Sequence, residues 1–330
     1  MRSIAERTDY AIPSVCDTTG TVFLARRGMA LTAITPTDAT PAELPKEKAP
    51  PVRRIRFRFG DPEPMRHFFV LGDIPHSHLV AMLSAIFPPG EESFIRSVRR
   101  VSDQITDPDL KKRVAGFIGQ ESVHGQEHRH LNEKLVTMGY PLVQLFLFPK
   151  DSRRQRWLVK YENRHSALGH LAWTAAAEHY TATLASRVLS SAEIQAIPGD
   201  PEVRHLLNWH AVEESEHKSV AFDVYRAAGG PEDLRIAVMK RMYYMTLPLV
   251  ALGVFASILT DPRAWRPIKA IRQAIHLMRG PLVKGLMPEL KVYMQPGFHP
   301  NDIDTSELEA EWRQKLFGDE TTVGAITDRM

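Results

Sequence analysis

A chain of 330 residues can bury a large apolar core, as one helical domain or as two ordinary ones. Forty-two basic residues against thirty-nine acidic ones leave a net charge of +3, which argues against a general nucleic-acid binder. The one cysteine, Cys16, excludes an internal disulfide framework and a thiolate metal site, and residues 1–20 lack the apolar run of a secretory signal. A cytoplasmic location is expected.

Residues 1–52 are rich in Thr, Pro and Ala without a sustained period, and are expected to be a flexible tail, with Met29 an alternative start. The stretch Arg54-Ile-Arg-Phe-Arg-Phe59 alternates basic and apolar residues, which fits a short edge strand and an extended arm equally well. After Pro75 the pattern turns helical. Residues 76–87 read as a short helix ended by Pro88-Pro-Gly90, and 91–105 as the next, with Glu91, Phe94, Ile95, Val98 and Val101 on one face. Residues 107–138 start on an Asp cap and end at Gly139. Residues 151–191 form the longest helical stretch, with a break near Gly169, and 201–228 stop at Gly229-Gly230. No alternation of strands with helices follows Pro75, so the chain reads as all-α.

The chemistry concentrates in Trp209-His-Ala-Val-Glu-Glu-Ser-Glu-His217, where a helix places His210, Glu214 and His217 on one face. Glu214 and His217 form a Glu-x-x-His pair, and Glu121 and His124 repeat it upstream, with His128 one turn further along the same face. Glu178 lies in the apolar stretch Leu171-Ala-Trp-Thr-Ala-Ala-Ala-Glu178, where an unpaired carboxylate is hard to keep ionised. Glu91 opens its own apolar face, while Glu92 points elsewhere. One Glu-x-x-His on a helix is usually a solvated face. Two copies, each preceded by a lone glutamate on an apolar helix, match the ligand set of a dinuclear carboxylate site in a four-helix bundle. The metal ligands read from this pattern are Glu91, Glu121, His124, Glu178, His210, Glu214, His217 and His128, the last either a ligand or a supporting donor. His179, Glu213 and Glu216 fall off these faces, as packing, supporting or surface groups. Four carboxylates against two divalent cations balance in charge, and such a donor set favours two iron ions, or manganese as the alternative.

Pro89-Gly-Glu91, Gln120-Glu-Ser-Val-His-Gly125, Ala177-Glu-His179, Trp209–Lys218 and Phe298-His-Pro300 resemble a bacterial family labelled predicted metal-dependent hydrolases. The resemblance runs from about Arg53 to Asp304. The His-x-x-x-Glu-x-x-His spacing of His210, Glu214 and His217 is also similar to that of the ferritin-like di-iron N-oxygenases that act on arylamines. These resemblances imply a ferritin-like four-helix bundle over 53–304, with core helices in about 91–228, added helices in about 231–292, an extended N-terminal arm, and a helix and tail in 305–330. With the label taken as a reflection of metal-binding residues, the ligand spacing favours oxygen chemistry. The expected function is O2-dependent oxidation of a small apolar substrate, served by an external electron donor. Hydrolysis of an ester or phosphoester is the alternative, and a non-enzymatic metal-binding bundle the second.

Residues 242–260 carry no charge and are long enough to span a bilayer, although Thr246, Pro248, Gly253 and Ser257 interrupt them; a helix buried against the bundle fits as well. Residues 263–279 hold no acidic residue, with Ile268, Ile271, Ile275 and Met278 at helical spacing and Arg266, Lys269 and Arg272 on other faces. Peripheral membrane contact and a homodimer both stay open as partners, and His299 has a structural reading.

Overall fold

The computed structural model describes residues 47–318, and every regular element among them is helical. The elements are α1 (Ile74–Arg99), α2 (Pro108–Met138), α3 (Arg153–Glu162), α4 (Ala167–Ser190), α5 (Ala192–Gln195), α6 (Pro201–His217), α7 (Val220–Ala227), α8 (Glu232–Leu259), α9 (Pro267–Arg279), α10 (Leu286–Lys291) and α11 (Ser306–Phe317). Helix α1 packs along α2 and α4 along α6, while α1 meets α4 and α2 meets α6 and α7 to close the ring. Helix α8 lies on α1 and α4, α9 on α1, and α11 on α6 and α4. The expected tail before residue 47 and the end after residue 318 lie outside the described residues.

Helix α1 departs from the expected pattern. The sequence reading ends a helix at Pro88-Pro-Gly90, but α1 runs straight through both prolines. A proline removes the N–H that would bond the carbonyl four residues back, here that of Ser84. Asn132 of α2 supplies the missing donor, its Nδ2 lying 2.8 Å from the Ser84 carbonyl oxygen. The orphan acceptor is thereby satisfied across the α1–α2 seam, and the helix continues to Glu91. Helix α2 keeps its expected ends, with Asp107 capping the first turn and Gly139 closing the last at φ 97°. The stretch 151–191 divides at 163–166, where the Ser166 hydroxyl caps α4 by accepting the Gly169 N–H. The stretch 201–228 divides at Lys218 and Ser219 into α6 and α7, rather than continuing as one helix.

Residues 47–59 form an extended arm with no strand partner among the described residues, so the edge-strand option falls away. Gly116 and Gly119 let the arm lie directly on α2, because a Cβ at either would collide with Pro50 or Val52. Phe57 is buried with its ring 5.7 Å from that of Trp209, and its N–H donates to Glu127. On the other side, Phe298, Tyr293 and Phe222 form a second apolar cluster that fastens the C-terminal segment to α7. His299 bonds Asp223 at 2.8 Å and Asp223 pairs with Arg113, so the Phe298-His-Pro300 motif acts as a clasp.

A polar cluster fixes where α8 ends. His78 of α1 bonds the Ser257 hydroxyl at 2.8 Å, and its other nitrogen lies 3.4 Å from Asp261, which His67 also contacts. Burial pushes the His78 imidazole down to about 4, further than Asp261 raises it. A histidine held neutral in the folded chain, but free to protonate near 6.5 once unfolded, contributes stability that is full above 6.5. That contribution is lost progressively as pH falls from 6.5 to about 4. Thermal melts of the His78→Gln variant should therefore show a shallower loss of Tm between pH 7 and pH 5 than the parent, and parallel curves would refute the assignment.

Candidate metal centre

Four helices aim side chains at one point inside the ring. Helix α1 supplies Glu91, α2 supplies Glu121 and His124, α4 supplies Glu178, and α6 supplies His210, Glu214 and His217. Their ligand atoms fall into three overlapping groups, Glu91/His124/His210, Glu121/Glu178/His217 and Glu121/His124/Glu214, each within 4.8 Å. His217 Nε2 lies 3.0 Å from Glu121, 3.3 Å from Glu178 and 3.6 Å from Glu214. His210 Nε2 lies 2.8 Å from Glu214 and 3.8 Å from Glu91. All seven residues are buried.

Both oxygens of Glu91, Glu121 and Glu178, one oxygen of Glu214, Nδ1 of His124 and Nε2 of His217 have no hydrogen-bond partner. One such atom in a protein interior costs about 1–3 kcal/mol, so a set gathered at one place needs a common partner. Carboxylate and imidazole lone pairs on all sides describe a cation site, and the residues present fit a pair of divalent ions.

The electrostatics agree. Burial, then the charges of Glu121 and Glu214, pushes the Glu91 carboxyl well above its ordinary range, and burial with Glu121 does the same to Glu178. Glu121 is raised by burial in spite of the nearness of His217. Burial opposes ionisation of Glu214 too, but His217 and His210 hold it well below the usual range. Without cations such a cluster must take up protons to relieve its own repulsion; with them, the four carboxylates can stay ionised.

Each imidazole is turned toward the centre by a bond on its outer nitrogen. Gln120 Nε2 donates to the Pro51 carbonyl and to Glu216, so its Oε1 is an acceptor, and the His217 Nδ1–H donates to it at 2.8 Å. His124 donates its Nε2–H to Glu213 at 3.0 Å, leaving Nδ1 facing inward. Glu213 is held by Trp209 and by Arg53 of the arm, and Arg53 also grips Glu216 with two bonds of 2.8 Å. The arm therefore orients the ligands from outside.

Of the two readings of His128, ligand or supporting donor, its place outside the ligand clusters fits the supporting one: it stands behind His210 and both of its nitrogens are taken. Asn132 donates to the Ser84 carbonyl, which fixes its amide so that Oδ1 accepts the Ser84 hydroxyl at 2.7 Å. The Ser84 oxygen accepts the His128 Nδ1–H at 2.9 Å, and His128 Nε2 accepts the His210 Nδ1–H at 2.8 Å. The chain ends with the His210 Nε2 lone pair directed at the centre. Burial, followed by the nearness of His210, holds His128 well below the usual range, as a neutral acceptor requires.

The sequence alone assigned no role to Arg53, Ser84, Asn132 or Gln120, the last appearing only as part of a motif, and placed Glu213 among groups without a set role. For Ser84, Gln120, Asn132 and Glu213 the one sequence signal is a polar residue at an apolar position of a helix that already carries ligands; Arg53, on the arm, has no such signal. Glu92 pairs with Arg96 and Arg129 at the edge of the bundle, and His179 packs on Tyr293 and Phe298 away from the centre.

A cavity of about 250 Å³ reaches the centre, with His210 and Glu214 in its wall and Val80, Leu83, Phe87, Leu184 and Leu247 along it. Phe87 stands edge-on to both His128 and His210, separating the cavity from the outer hydrogen-bond chain.

A family model described as predicted metal-dependent hydrolase matches residues 51–304. No curated protein and no solved structure matches. The family description corrects the expected oxidation of a substrate with O2: the named reaction class is hydrolysis, which was the alternative. The same carboxylates and imidazoles suit Lewis-acid and redox use of a metal, so ligand spacing alone could not separate the two. The O2 expectation falls with it.

Gly125 has a specific part in the site. A Cβ there would lie 3.0 Å from the Glu91 carboxylate, tighter than ordinary contact. Gly125→Ala should push that carboxylate aside and weaken metal binding by about tenfold or more, the scale set by disturbed ligand support. Metal titration, with circular dichroism to show unchanged helicity, checks this; unaltered affinity would mean that Glu91 does not need the space.

Proposed function

This chain belongs to the family of predicted metal-dependent hydrolases, and on that premise we propose that it hydrolyses a carboxylic ester bearing an apolar acyl group at a pair of divalent cations. The observation that carries the reading is the convergence of partnerless carboxylate and imidazole atoms on one point, with Glu214 of that set and the neighbouring His210 forming part of the cavity wall. Iron or manganese suits three imidazoles and four carboxylates.

Bound divalent cations polarise an ester carbonyl and acidify water, which is the chemistry hydrolysis needs. The chain's own residues do the rest. Gln120, Glu213 and His128 keep the protons of His217, His124 and His210 on their outer nitrogens, so that three lone pairs face inward. Val80, Leu83, Phe87 and Leu184 offer an apolar surface to the acyl group and exclude bulk water. The largely apolar lining favours a carboxylic ester over a phosphoester, whose charge would call for several donors.

Protein loaded with iron(II) or manganese(II) should cleave chromogenic esters, with longer acyl groups preferred over acetate. Glu178→Ala should lose half or more of the metal. It should also lose at least about a hundredfold in rate, because metal stabilisation of developing charge is worth several kcal/mol. Two bound ions per chain with no cleavage of any ester or phosphoester would leave a metal-binding bundle and end the hydrolase proposal.

A further inference from the structure

Helices α8 and α9 show their large apolar residues to the outside. On α9, Ile268 (71 % exposed), Ile271, Ile275 and Met278 form an outward stripe, while the partly covered side holds only Ala270, Gln273, Ala274 and Leu277. On α8, Met245, Leu249, Leu252 and Leu259 form a second stripe, with Tyr244 and Phe255 beside it. Trp265, at the corner between the two helices, is also 71 % exposed. Scattered exposed apolar residues are ordinary; two successive helices with such stripes mark an interaction surface. The expectation that 242–260 is buried against the bundle therefore holds on one side only.

This outward orientation is held in place. The Ile74 N–H donates to Gln273, and Lys269 donates to the Gly72 carbonyl, which sets the rotation of α9 against the start of α1. His78, Ser257 and Asp261 do the same for α8. Both stripes thus flank the N-terminal end of α1.

We propose that the α8–α9 face docks on an anionic lipid bilayer. The charge around the stripes selects this occupant. Between residues 262 and 288 there is no acidic side chain, whereas Arg263, Arg266, Lys269, Arg272, Arg279 and Lys284 are all basic. Apolar stripes edged by unopposed cations fit acyl chains below anionic headgroups. A second copy of the chain fits poorly, because a two-fold interface would set this basic segment against itself. Helix α8 is long and apolar enough to cross a membrane, but one side is committed to α1 and α4, and its first turns carry Glu232, Asp233, Arg235, Lys240 and Arg241. It lies on the bilayer and does not cross it.

The face also borders the cavity. Leu247 and Val250 of α8, with Leu282, Val283 and Leu286 just after α9, form part of its wall. Docking would therefore bring the cavity beside the acyl chains of the bilayer, so that the ester is a lipid. This last step rests on the hydrolase reading; the docking does not.

Flotation of the full, metal-loaded chain tests it, with vesicles of phosphatidylcholine alone and of phosphatidylcholine mixed with phosphatidylglycerol. The chain should float with the anionic vesicles at least about tenfold more strongly. Arg266→Gln/Arg272→Gln should lose most of that preference, at about fivefold per basic residue. Ile271→Glu/Ile275→Glu should abolish flotation with unchanged helicity and metal content, since both side chains lie on the exposed stripe and not in the core. Flotation that ignores either pair of substitutions, or no flotation at all, overturns the proposal. So does a dimer in solution that Ile271→Glu/Ile275→Glu splits while the parent leaves vesicles alone. Flotation requires no turnover, and hydrolysis of a soluble short-chain ester requires no vesicle, so either reading can fail alone. If both hold, Ile271→Glu/Ile275→Glu should spare the soluble ester and lose a lipid ester presented in anionic vesicles.

Discussion

Four glutamates buried around a single point set the terms for the rest of this protein. Like charges at such separations, away from water, repel by more than a marginally stable fold can absorb unless cations or protons intervene. Each glutamate comes from a different helix, so the charge that would drive the bundle apart becomes, with cations in place, the link that holds α1, α2, α4 and α6 to a common centre. The pull of His217 on Glu214, and the upward push on Glu91 and Glu178, are local expressions of that balance.

Around this centre the structure is organised in bonds that fix imidazole orientation. A proline inside α1 frees a carbonyl, Asn132 takes it, and the consequence runs through Ser84 and His128 to the lone pair of His210. On the far side, glycines in α2 let the arm lie close enough for Arg53 to reach Glu213 behind His124. Features that look like irregularities, a Pro-Pro pair within a helix and an extended arm, thus serve the metal ligands. The price is a set of polar groups in the interior, each of which needs its partner.

The two Glu-x-x-His pairs and the lone glutamates were legible because helical spacing maps sequence onto a face without knowledge of the fold. The caps at Asp107 and Gly139 were legible for the same reason, being local. The Pro88 stop failed because its rescue comes from α2, more than forty positions along the chain, and no local rule contains Asn132. His128 shares the face of Glu121 and His124, but spacing cannot say how far along the helix the centre lies; only the crossing of α6 places His210 between His128 and the other ligands. For α8, hydropathy alone left the choice between a buried helix and a membrane contact, and packing on one side only decided how much of it remains open.

By itself the sequence determined which side chains are available for metal and that they sit on helices, since residue type and a 3.6-residue period are properties of the chain. It also carried the family match, although spacing alone left open whether the metals serve redox or hydrolytic chemistry. Only the tertiary structure decided which nitrogen of each histidine faces the centre, which residues stand behind it, and which apolar faces stay uncovered. Those depend on contacts between segments far apart in sequence, and close approach of that kind is set by packing, which no local pattern encodes.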